Sequence, residues 1–468
     1  MEGRSMSEPS LSPSSAPRAA LAPIAAPKPA LSVFDAVMIT VGIVIGAGIF
    51  KTPSMVAGVT GSVDWMLIAW VLGGVLSLVG ALCYAELASA FPHAGGDYHF
   101  ITKAFGRDAS FFFAWARVMV ITTGSIALLA FVFGDYMSRV VSLGAQSSAI
   151  YAALTVVVLT VINLIGLRES ARTQNLLTIL EVSGLLLVAL AGLIATAPAE
   201  SSSATPTASG MPAMFGLAMV FVLLTYGGWN EAAYISAEVK GGPRAIVRTL
   251  VLSLLVITIV YVLVVLAVLK GLGFSGLAKS TAVGADVMQA AFGPVGAQLI
   301  GAIVGVATLT SINATMIVGA RTNYALGRDW PVLAFMSHWH GERHVPVIAF
   351  LVQAAIALAL IAFGSVQKDG FSTMVEFTAP VFWFFFLLTG VALFVLRFRA
   401  PHVARPFKVP MYPILPIVFV GTCAYLLYSS VTYAQSQNAV HVALYVMGAG
   451  VVAWIVMRLV ATRRPDGG

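Results

Sequence analysis

Apolar residues run almost without interruption along this chain, broken at intervals by short clusters of charge, proline and glycine. From Leu31 onward each run is long enough for a helix to cross a hydrocarbon core of about 30 Å. Twelve spans are predicted, at about 31–58, 64–91, 108–137, 146–166, 172–197, 212–239, 245–270, 293–326, 345–365, 372–397, 411–433 and 438–461. Residues 1–30 are rich in Pro, Ser and Ala and read as a disordered tail, with 462–468 as a second short tail. One membrane domain, 31–461, is the economical count.

Composition agrees with the pattern. The 468 residues are 59% hydrophobic and 10% charged, with a mean hydropathy of +0.94, against about 45–50% and about 25% in soluble chains. A water-soluble enzyme is excluded, and the expected class is an all-α polytopic membrane protein. The net charge of +7 matters through its placement. Lys103, Arg107, Arg172, Lys240, Arg244, Arg248, Arg321, Arg328, Arg397, Arg399 and Arg405 fall on the side of the tails, while Lys51, Arg139, Lys270, Lys279 and Lys368 fall opposite. Both termini are therefore expected in the cytoplasm, and the compact loops are in the style of a bacterial inner-membrane protein. Cys83 and Cys423 lie inside apolar runs, so neither a disulfide framework nor a thiolate metal site is expected. The connections 198–211 and 271–293 are too small for enzyme domains, which leaves the chemistry among the helices.

Two spans carry glycine clusters at mid-membrane: Gly42, Gly46 and Gly48 in the first, and Thr225-Tyr226-Gly227-Gly228-Trp229-Asn230 in the sixth. Glycine costs about 1 kcal/mol against alanine inside a helix and lets the backbone leave helical geometry. Close helix packing also uses small residues. Two clusters five spans apart point instead to discontinuous helices in inverted five-helix repeats, about 31–197 and 212–397. A break at Gly46 would put the amides of Ala47 to Ile49 at the positive end of a half-helix, which suits a carboxylate. Freed carbonyls, with Tyr226 and Trp229, suit an ammonium group. A solute with both groups is an amino acid.

The stretches GIVIGAGIFKTP, YAELASAFPHAGGDY, YGGWNEAAYISAEV with KGGPRAI, and RPFKVPMYPILP resemble, in order, the motifs of the amino acid–polyamine–organocation superfamily. Within it the chain looks most like the L-type amino acid transporter branch. The resemblance implies a LeuT-like five-plus-five fold with two added helices (411–461), alternating-access transport of amino acids, and no cofactor. It places the backbone of Ile45, Gly46, Ala47, Gly48 and Ile49 at the substrate carboxylate and that of Leu224, Thr225 and Gly227 at the amino group. Trp229, Asn230 and Asn313 become supports of the site. The chain departs from the branch at Leu224 and Thr225, where relatives carry a bulky aromatic gate.

It departs again at Glu181, where many relatives carry lysine. An ionisable residue inside a membrane span is a functional candidate. A glutamate there suits a proton, or sodium held with the carbonyls of Gly42 and Ile45 and with Ala307, Thr310 and Ser311 on the eighth span. The competing reading has Thr310 and Ser311 bonding to their own helix and Glu181 pairing with a hydroxyl, amide or basic group. Either way, proton-coupled uptake competes with L-type exchange. Glu86 reads as a packing and gating contact. Arg117 either lines the pathway or snorkels, Glu231 and Glu238 share a face suited to salt bridges, and Glu376 stays open. His93, His99, His338, His340 and His344 fit no zinc spacing. VFWFFFLL reads as lipid-facing and packing surface. No HExxH, GxSxG or paired aspartates support an intramembrane enzyme. Expected partners are an amino acid, lipid, and a proton or sodium ion; no nucleic acid is expected, an accessory subunit is left open, and neutral amino acids are the favoured substrates.

Overall fold

The first predicted span is built in three pieces. In the computed structural model, which describes residues 32–46, 48–93, 95–165, 171–195, 214–233, 239–338, 345–436 and 440–462, helix α1 (Val33–Ile45) stops at Gly46, a 3-10 turn covers Gly48–Phe50, and α2 (Thr52–Thr60) resumes. A capping box starts α1: the Asp35 amide donates to Ser32 Oγ at 3.1 Å and the Ser32 amide to the Asp35 carboxylate at 3.0 Å. The tail expected at 1–30, all but Thr462 of the tail expected at 462–468, and the connection at 198–211 lie outside the described residues; Thr462 ends the last helix.

The chain continues through α3 (Val63–Ala90), α4 (Gly96–Phe105), α5 (Arg107–Ala116), a π-helical segment Arg117–Ile121, α6 (Thr122–Val140), α7 (Ser147–Ile165) and α8 (Ala171–Ile194). After α9 (Phe215–Thr225) and a 3-10 turn Trp229–Ala233 come α10 (Gly242–Lys279), α11 (Val283–Asp329), a 3-10 segment Pro331–Ser337, α12 (Val347–Ser365), α13 (Gly370–Arg399), α14 (Ile414–Ser436) and α15 (Val440–Thr462). Among the described residues nine helices are long and apolar enough to cross a membrane, and Thr178–Ile194 and Leu444–Leu459 are shorter apolar helices. This is an integral, multi-pass, all-helical protein.

The connection expected at 271–293 is a correction. It is helical on both sides, because α10 runs on past Gly273 and α11 begins ahead of Gly293. Both glycines hold left-handed φ values, +68° and +67°, with ψ far from helical, so each of α10 and α11 is two helical stretches meeting at a sharp kink. The burial pattern is that of a protein in lipid. On α7, Leu154, Val157, Val158 and Val161 face outward while Thr155, Thr160 and Asn163 are buried.

Two charged clusters tie the bundle at its two ends. At one end Lys51 Nζ donates to Asp135 at 2.9 Å and to the Thr281 carbonyl at 3.5 Å, and lies 3.7 Å from Asp369. Asp135 also accepts from Ser148 at 2.7 Å, and Asp369 caps α13 through the Ser372 amide at 3.0 Å. At the other end Glu86 accepts from Arg397 Nε at 2.7 Å and Nη2 at 2.5 Å, and from the Val409 amide at 2.7 Å. Arg397 also stacks over Tyr412 at 3.7 Å. This packing role is the one the sequence suggests for Glu86.

Candidate functional site

Where α1 and α9 end, their last carbonyls lack partners within the helix, and the two ends meet. Tyr261 of α10 stands between them, fully buried, its hydroxyl 2.9 Å from the Val44 carbonyl, 3.1 Å from that of Thr225 and 3.3 Å from that of Ile45. Thr225 Oγ1 lies 2.7 Å from Thr52 Oγ1 and 2.9 Å from the Phe221 carbonyl, which joins α9 to the start of α2. Gly228 has φ +103°, and a β-carbon there would come within 2.9 Å of Ile43 Cγ2. Glycine is therefore required twice over at this position, by conformation and by the closeness of α1. One added at Gly48 would touch Thr225 at 3.4 Å.

A cavity of about 320 Å³ opens beside this junction, within the size range of small-molecule sites. Its wall includes Gly42, Gly46, Gly48, Leu224, Thr225, Gly227, Asn230 and Ser311 of the sequence candidates. Ile45 and Ile49 are buried beside it with side chains packed into the core, and Ala47 lies outside the described residues. The side chains of Tyr226 and Trp229 lie behind the wall. Tyr226 donates to the Trp70 carbonyl at 3.1 Å, and Trp229 packs edge-on against Tyr84 and Phe386. Neither is among the residues that line the cavity. Asn313 accepts from Asn163 Nδ2 at 2.6 Å, a bond between α7 and α11.

The ion-coupling candidates separate into two groups. Thr310 donates to the Val306 carbonyl at 2.9 Å, one turn back on its own helix, and Ala307 is buried away from the cavity. Glu181 and Ser311 differ. Both carboxylate oxygens of Glu181 and the Ser311 hydroxyl are buried with no hydrogen-bond partner among the described residues. Ser311 faces Glu181 on one side and Gly46 on the other, its Oγ 3.8 Å from where a β-carbon of Gly46 would be. The Ser311 hydroxyl is thus the group set to pair with Glu181, as one of the two sequence readings has it. Among the described residues no three His, Cys, Asp or Glu side chains converge on a metal site; His340 and His344 lie outside them.

Three features of the wall differ from expectation. Phe382, Phe385 and Phe386 of the phenylalanine-rich stretch line the cavity, while Phe384 faces outward. Glu231, expected to meet a basic residue of a connection, lies 3.5 Å from Arg117 within the bundle, and both line the cavity; Glu238 lies outside the described residues. Asp97 and Tyr261 escaped the sequence reading. Asp97 stands in the AGGDY stretch, and Tyr261 is the lone aromatic of an aliphatic run, a signal that would have found it.

Comparison with known proteins accords with this arrangement. The chain is 26% identical to b(0,+)-type amino acid transporter 1 of Rattus norvegicus, over 89% of this chain and 85% of that protein. It is 27% identical to the serine/threonine exchanger SteT of Bacillus subtilis, over 86% and 90%. Against the large neutral amino acids transporter small subunit 2 of Mus musculus it is 28% identical, over 85% and 75%. The model of the family described as amino acid permease matches residues 31–456, nearly the whole span of helices built around the paired breaks; the chain belongs to the amino acid permease family.

Proposed function

We propose that this amino acid permease carries neutral L-amino acids by alternating access, in a twelve-span, five-plus-five inverted-repeat fold with spans 1 and 6 discontinuous. The reading includes cytoplasmic termini and a bacterial inner (plasma) membrane, in keeping with the placement of the basic residues and the compact loops. The observation that carries it is the meeting of two interrupted helices at a cavity, joined through Tyr261. The amides after Gly46 serve as donors for the substrate carboxylate, and the carbonyls of Leu224, Thr225 and Gly227 as acceptors for its amino group. Asn313 and Trp229 brace this frame from behind.

Glu181 supplies the coupling. An ionised, unpartnered carboxylate at this depth costs several kcal/mol, so Glu181 holds a proton in this state. The polar groups facing it are the Ser311 hydroxyl from α11 and the Tyr261 phenol from α10. Proton movement at Glu181 is felt at the Gly46 break through Ser311. The second reading is obligatory exchange, favoured by the likeness to SteT, a serine/threonine exchanger.

Proteoliposome uptake of a labelled neutral amino acid panel tests both. Concentrative uptake into empty vesicles driven by a proton gradient, and lost in Glu181→Gln, is the expected result. Dependence on sodium would move the coupling ion to the Gly42, Ile45 and Ser311 oxygens. Uptake only into preloaded vesicles, unaltered by Glu181→Gln, makes the protein an exchanger.

A further inference from the structure

The Arg117–Glu231 pair has an unusual setting. Arg117 opens the π-helical segment Arg117–Ile121, where the Thr122 amide donates to the Arg117 carbonyl. A π turn inserts an extra residue and re-aims the side chains around it, and such turns gather at functional sites. Here it directs a guanidinium into the cavity, and Ile121 and Thr122 of the same stretch line the wall beside it. Glu231 is tied to the other break, its amide donating to the Gly228 carbonyl at 3.0 Å. That puts its backbone about one 3-10 turn, roughly 6 Å of rise, from Gly228.

The charged groups lining the cavity among the described residues are Arg117, Glu231 and Asp97. Arg117 is the sole cation. Asp97 is buried and accepts from Thr389 at 3.3 Å. The Arg117–Glu231 contact is long at 3.5 Å, and the Glu231 side chain keeps 25% of its exposure. The rest of the wall is largely aromatic, aliphatic or hydroxylic, with Phe382, Phe385, Leu128 and Thr315 among it.

We infer that Arg117 and Glu231 set the charge preference of the substrate's side chain. This rests on the proposed amino acid site, whose helix breaks take the carboxylate and amino groups and leave the side chain to the remaining wall. Glu231 and Asp97 repel acidic side chains, and Arg117 offsets the attraction these two carboxylates would exert on a basic one. A neutral side chain pays neither cost, and the pair stays closed on itself.

The test is competition of lysine and glutamate against labelled alanine uptake in proteoliposomes, expressed as inhibition constants relative to unlabelled alanine. Arg117→Gln should improve lysine about five- to tenfold relative to alanine, the scale expected from a unit charge removed at a few ångströms in a partly wet site. Glu231→Gln should shift the ratio the other way, against lysine and toward glutamate. The double variant should return toward the parent, and Arg117→Lys, which keeps the charge, should match it. Should the single variants fail to insert, the exchanged pair Arg117→Glu with Glu231→Arg restores the ion pair and is expected to keep the parent ratio. Unmoved ratios in variants that carry alanine would overturn the inference and leave the site reading standing. Absence of saturable alanine uptake by the parent protein would instead fail the proposed function.

Discussion

The Lys51 cluster and the Arg117–Glu231 pair both place a cation inside the bundle, and they are built for different ends. Lys51 is 4% exposed, reaches two carboxylates and a carbonyl, and draws together α2, α6, α13 and the turn between α10 and α11. Its partners are themselves held by Ser148 and Ser372. Arg117 lies 3.5 Å from Glu231 beside a cavity that both residues line. A buried charge with several fixed partners is costly to disturb, because each partner left behind is unpaired in a low-dielectric interior. A loosely held pair beside a cavity leaves its charge available to whatever enters.

Removing each cation in turn should separate the two roles. Lys51→Met removes the cation from the buried side of Asp135, which keeps Ser148 as a partner, and a loss of about 3 kcal/mol is expected, the low end for breaking a buried pair, because Asp369 is 38% exposed. Thermal unfolding in detergent checks this; a melting temperature equal to the parent's would dissolve the contrast. Tyr261→Phe comes next. It removes the hydroxyl shared by three carbonyls at the junction, for about 1–3 kcal/mol, with a fall in alanine affinity that uptake kinetics would record. Arg117→Gln should cost less, about 1 kcal/mol, since the Glu231 side chain is 25% exposed, and its larger effect should be on selectivity.

The smallest effect lies outside the membrane. His99 of α4 stacks on His93 at 4.2 Å. Burial, with His93 and Lys103 adding to it, pulls its pKa down to about 4. The folded state thus keeps His99 neutral where the unfolded chain would bind a proton. Stability from this source is present above the ordinary histidine value of about 6.5 and is lost as pH falls toward 4. Melting curves at pH 7 and pH 5 should show a modest decline, reduced in His99→Gln; an equal slope in that variant would assign the decline to other groups.

What the sequence disclosed and what it hid divide along physical lines. Apolar runs longer than a bilayer is thick locate helices by length alone, and paired glycines at Gly46 and Gly228 locate the breaks because other residues resist those backbone angles. The helical arms after Gly273 and before Gly293 were hidden, since a glycine that ends one helix does not say that another begins beside it. Contacts across the fold were hidden too. Arg117 and Glu231 are 114 residues apart, and only the three-dimensional arrangement makes them a pair. The aromatic residues of the YGGWN stretch misled for a related reason, because composition does not say which way Tyr226 and Trp229 turn.

The Tyr261 hydroxyl carries one proton and stands before three carbonyl acceptors. One proton is shared among these three acceptors. An ammonium group brings three protons, so on the proposed reading an arriving amino acid completes the fold at the point where its two broken helices meet. The cargo then acts as a structural part that is fitted and released in each cycle, and saturating alanine should raise the melting temperature of the permease as any ligand of the folded state does.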